Sequence, residues 1–70
     1  MTAQGMFEEL GFSIFNYFLD SIIITNADDK KTFILFDLVS EAVEFSNVDV
    51  IEIPLLKAIN KQCEELGWIE

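Results

Sequence analysis

The sequence predicts an α+β fold: a short N-terminal helical turn, a three-stranded antiparallel β-meander and one C-terminal α-helix packed on the sheet. Three observations carry this. Leu55, Ile59, Cys63 and Leu66 recur at spacings of four, four and three behind Pro54, which gives a helix with one apolar stripe. Ile22-Ile23-Ile24-Thr25 places four β-branched residues in a row, a pattern that favours a strand. Asn26-Ala27-Asp28-Asp29-Lys30 then separates two apolar runs, as a hairpin loop does.

Each element follows from local chemistry. Met6-Phe7-Glu8-Glu9-Leu10 before Gly11 reads as one helical turn with a glycine stop. Phe7 and Leu10, three apart, share a face. Phe12, Phe15 and Leu19 also fit a helical stripe, whereas Tyr17, Leu19, Ser21 and Ile23 fit one face of a strand. The first strand is placed at residues 17–25. The second runs over 32–39, and Ser40-Glu41 turns the chain into a third at 42–46. Pro54 suits the start of the helix, where no N–H is needed. Asp49 and Glu52 lie just before it, where negative charge is favourable. Gly67 ends the helix, with Trp68 folding back on its last turn near Cys63.

Both faces of the central hairpin are apolar. Thr32, Ile34, Phe36 and Leu38 share one face of the second strand, and Phe33, Leu35, Asp37 and Val39 the other. One helix covers one face. Either the N-terminal segment, with Phe7, Leu10, Phe12 and Phe15, covers the second, or an apolar patch remains as an interface. The latter implies a homo-oligomer. Phe12, Phe15, Tyr17, Leu19, Ile23, Phe33, Leu35 and Trp68 are the candidate interface residues.

Length and composition narrow the function. The chain of 70 residues fits one domain, with residues 1–5 expected to fray. A domain this small buries only about 60% of its unfolded surface, so its stability is marginal. Cys63 is the single cysteine and there is no histidine, so no intrachain disulfide and none of the usual zinc sites is expected. Gly5, Gly11 and Gly67 are isolated, so there is no phosphate-cradling loop. Cys63 lacks a histidine partner and sits on the apolar stripe. Asp28 and Asp29 belong to a turn. Asp37 interrupts an apolar strand; it either pairs with Lys30, Lys31 or a backbone donor, or marks a wet edge. No cofactor, metal or catalytic site is expected, and the chain does not read as an enzyme.

Charge is the most lopsided feature. Thirteen Asp and Glu face four Lys, for a net charge of -9. Nucleic-acid backbones and anionic membranes repel such a surface. The acidity either confers solubility or steers the chain to a basic partner. Asp28, Asp29, Glu41, Glu44, Asp49 and Glu52 form the candidate acidic face. No apolar run is long enough to span a bilayer, and Met1-Thr2-Ala3-Gln4 lacks the basic start of a secretory signal. With a free thiol, this suggests the cytoplasm.

Glu9-Leu10-Gly11-Phe12, Phe36-Asp37-Leu38, Val43, Phe45, Leu55-Leu56-Lys57-Ala58-Ile59 and Glu65-Leu66-Gly67-Trp68 together resemble small proteins of phages and prophages of Gram-positive bacteria. The resemblance implies a setting inside the bacterial host cell, not an activity. The expectation is a phage-encoded acidic binding protein that inhibits or modulates a host protein, such as a defence factor, by protein–protein contact. The alternatives are a self-assembling structural or accessory phage protein and a nucleic-acid mimic occupying a basic cleft.

Overall fold

In the computed structural model the backbone of all 70 residues is described, and the side chains of all but Ile14 and Phe15. The elements are α1 (Ala3–Glu9), β1 (Phe12–Tyr17), β2 (Ser21–Asn26), β3 (Phe33–Asp37), β4 (Ala42–Ser46) and α2 (Ile53–Glu65). The α+β class agrees with the sequence. The strands form one antiparallel meander in the order β1-β2-β3-β4.

The expected three strands are four, because the chain reverses inside what the sequence reads as one strand. Residues 18–20 form a turn, closed by Phe18 N–H to Ser21 C=O at 2.8 Å. Asp20 is the one residue there with a turn preference. The flanking Phe18 and Leu19 conceal the reversal. β1 takes up the ambiguous segment and bulges between Phe12 and Ile14, which re-aims the strand start toward the helices. The third expected strand matches β4 at both ends.

At the N-terminus, helix formation begins earlier than the sequence suggests. The Thr2 hydroxyl caps α1 by accepting from Gly5 N–H at 3.1 Å. Ala3 is fully buried, and its N–H donates to Glu65 Oε2 at 2.8 Å. Residues 3–5 are therefore part of α1, not a frayed end. The α2 terminus is as the sequence indicates. Gly67 takes φ +79°, Trp68 N–H donates to Cys63 C=O, and Gly67 N–H to Glu64 C=O, the paired bonds of a Schellman ending. At the other end Ile53, not Pro54, is the first helical residue and Glu52 the cap.

Register decides which side chains meet. Ile22 pairs with Phe36, which pairs with Val43; Ile24 pairs with Ile34, which pairs with Phe45. These lie on one face. Phe7 from α1, and Ala58 and Ile59 from α2, complete a single core with Phe12, Ile22, Ile24, Ile34 and Phe36. Phe7 meets Phe12 and Phe36 edge-on at 6.0 and 6.4 Å, a favoured aromatic geometry. Both helices therefore pack on the same face of the sheet. The other face is left to Ile23, Phe33 and Leu35 on β2 and β3.

Candidate functional site

Three surface regions hold the residues that folding does not consume. The first is the sheet face away from the helices. Ile23 pairs with Asn16 and Leu35, and Leu35 pairs with Glu44. Ile23, Phe33 and Leu35 are half-buried there, while Thr25 is buried. This is a shallow apolar strip flanked by polar edge-strand residues.

The second region is one end of the sheet, where two hairpins turn side by side. Leu38 N–H donates to Asp20 C=O at 2.9 Å, joining the β1–β2 and β3–β4 turns. Tyr17 is 64% exposed, Phe18 54%, Leu19 102% and Val39 79%. Asp20, Asp37 and Glu41 lie at the same end. Asp37 is tied down: its Oδ1 accepts from Val39 N–H at 2.9 Å and Ser40 N–H at 3.1 Å. These bonds, Ser40's first, hold its carboxyl below the usual carboxylate range. Asp37 thus finds the backbone donors the sequence leaves open, and it shapes the turn that presents Val39. Glu41 sits in that turn with φ +55°.

The third region lies where the chain enters α2. Leu10, Phe12, Val50, Glu52, Pro54 and Leu55 line an open cleft of about 200 Å³. Val50 is itself exposed, as are the neighbouring Ile53 and Leu56. The cleft has one carboxylate and otherwise apolar walls.

The sequence-based candidates divide among these places. Tyr17 and Leu19 are at the apolar end, and Ile23, Phe33 and Leu35 are on the uncovered face. Phe12 is a correction: it is buried in the core against Phe7 and is not on the sheet-face or hairpin-end surfaces, reaching only the wall of the cleft. Trp68 also belongs to the core edge, half-buried with its ring 6.2 Å from Phe36. The side chain of Phe15 lies outside the described residues. Sequence reasoning passed over Phe18 and Val39. For Val39 a signal was present, since it stands next to Ser40 with its turn preference; for Phe18 there was none, because it continues the apolar strand pattern.

The six acidic candidates do not share one face. Asp28 and Asp29 occupy the β2–β3 loop, where Asn26 Oδ1 accepts from both their N–H groups. Asp29 also accepts from Lys31 N–H, Thr32 Oγ1 and Asn47 Nδ2, which ties this loop to the end of β4. Asp49 and Glu52 follow on the connection to α2. Glu41 is at the opposite end of the sheet, and Glu44 lies between on β4. The strand meander forces this separation, because successive turns fall at alternating ends. The four lysines are also divided: Lys30 and Lys31 are in the β2–β3 loop, and Lys57 and Lys61 on α2.

Cys63 is half-buried, and burial pushes its thiol up. Among the described residues, no group of three or more Cys, Asp or Glu is arranged to hold a metal ion, and no helix is long and apolar enough to cross a membrane. No protein-family model, curated protein or solved structure matches the chain.

Proposed function

We propose that this chain is a phage-encoded acidic binding protein that acts by protein–protein contact on a host protein, such as a defence factor, and inhibits or modulates it. One observation supports this above the others. Both helices cover the same sheet face, so half-buried apolar side chains remain on the opposite face and exposed ones at the hairpin end. Exposed apolar clusters with polar rims mark protein interfaces. The charge of -9 adds long-range attraction to a basic partner. The nucleic-acid mimic is less well supported, because the carboxylates are spread over both ends of the sheet instead of forming a phosphate-like row.

The test is capture from a Gram-positive host lysate on the immobilised chain at low salt. The captured protein is identified by mass spectrometry and purified, and its activity is assayed with and without the chain. One specific partner, bound in a salt-dependent way and with altered activity, is the expected result. Recovery of no partner at low salt overturns the reading.

A further inference from the structure

The apolar end of the sheet has a composition that folding does not require. Tight turns ordinarily use Gly, Asn, Asp, Ser or Pro, for backbone reasons. Here Phe18 and Leu19 occupy the β1–β2 turn, and Leu19 is fully exposed. The neighbouring turn adds Val39, also exposed. A single exposed apolar residue calls for no explanation. Here two hairpin turns that each carry exposed apolar residues stand at one end, joined by the Leu38–Asp20 backbone bond.

Acidic residues belong to the turns that carry these apolar side chains. Asp20, Asp37 and Glu41 lie at this end, and all four lysines belong to the opposite loop or to α2. This composition selects among occupants. A second copy docking tip to tip would bring two sets of like charges together on a chain of net charge -9, which is costly. A bacterial membrane surface is anionic and repels the same carboxylates. A pocket with apolar walls and a Lys- or Arg-bearing rim satisfies both features, since the apolar side chains enter and the carboxylates meet the rim.

We infer that the β1–β2 hairpin tip, with Phe18 and Leu19 as its anchors and Val39 beside them, inserts into an apolar pocket with a basic rim on the partner protein. This rests on the protein-binding function proposed above and assigns it a place and a partner chemistry. Asp37 is a positioning residue here: it shapes the turn that carries Val39.

The experiment places the photo-reactive residue p-benzoylphenylalanine at one position per sample: in place of Leu19, in place of Glu44 on β4, or in place of Asn60 on α2. Each full-length chain is checked for native circular dichroism, irradiated in Gram-positive host lysate with its membranes retained, and its adducts mapped by mass spectrometry. The expected result is one protein cross-linked from position 19 and not from 60, at a segment containing Lys or Arg. A matched pair, wild type and Asp20→Asn/Glu41→Gln, should differ in affinity for that protein by roughly tenfold at low salt and converge at high salt. Adducts to a host protein from 44 or 60 but not 19 overturn the tip assignment and leave the binding function standing. Adducts from 19 to lipid, or to a second copy of the chain, overturn it in favour of those occupants. If no position yields a host protein, the binding function fails and the tip assignment with it.

Discussion

Asp37 shows how a residue that looks anomalous along a strand is explained by the backbone next to it. It ends β3, and its carboxylate accepts from the N–H groups of Val39 and Ser40, so an acid among apolar residues marks a turn. Its carboxyl titrates below the usual range in the folded chain. The bonds therefore stabilise the fold above the unfolded-state pKa, near 4, and that contribution is lost as the pH falls through the lower folded value. Asp37→Asn keeps the acceptor oxygen and removes this dependence. Melting curves between about pH 7 and pH 2 should show wild type losing more stability on acidification than the variant; parallel curves would refute the assignment. Phe7 is the opposite case, a residue whose part is wholly apolar. It is fully buried between α1 and the sheet. Phe7→Ala removes about 3–5 kcal/mol, most of what a domain of this size holds. Far-ultraviolet circular dichroism should report a largely unfolded chain. Cys63 needs only a reactivity test. With its thiol desolvated, labelling by a disulfide reagent at neutral pH should be slow in the native chain and accelerate in urea.

At the scale of elements, the two helices depend on their ends. α2 closes with Gly67 at φ +79°, and a Cβ added there meets no atom within 4 Å. Substitution is therefore penalised by backbone conformation and not by clash. Gly67→Ala should cost roughly 1–2 kcal/mol, and Gly67→Asn less, because Asn tolerates the left-handed region. At this chain length each kcal/mol lowers the melting temperature by about 4–8 °C, which thermal denaturation resolves. α1 spans seven residues and is too short to persist alone. Its start is fixed by Thr2 and by the Glu65 carboxylate accepting from Ala3 N–H at 2.8 Å. Glu65→Ala should speed hydrogen exchange of α1 amides while leaving those of β2 and β3 unchanged. Equal acceleration throughout would mean that the two helices do not open separately from the sheet. Of these elements the sequence made α2 legible at both ends, since Pro54, the apolar stripe and Gly67 are local signals. The β1–β2 hairpin was not legible, because Phe18 and Leu19 satisfy a strand pattern and no glycine or asparagine marks the reversal.

Across the whole molecule, the uncovered sheet face and the distribution of charge set behaviour in solution. Strong like charge opposes self-association at low salt, and screening relaxes it within a Debye length of about 10 Å at 0.1 M salt. Any self-association through Ile23, Phe33 and Leu35 should therefore appear by light scattering as salt rises, and Leu35→Thr should suppress it. Association that weakened with salt would point to charge pairing between copies instead. The candidate surface itself was only partly legible. Tyr17, Leu19, Ile23, Phe33 and Leu35 could be named from alternation along strands. Phe12 does not read as core along the chain, although Phe7, which packs on it, is only five residues away. Trp68 suits either a cap on the core or an interface, and it is its packing on the distant Phe36 that decides it. The sequence alone determined the α+β class, the excess of negative charge, the C-terminal helix and its glycine ending, because each rests on contacts or propensities within a few residues. Only the tertiary structure decided that both helices lie on one face, that two turns meet at an apolar end, and that the carboxylates scatter. Those facts arise from strand register and pairing between distant segments, which no local pattern encodes.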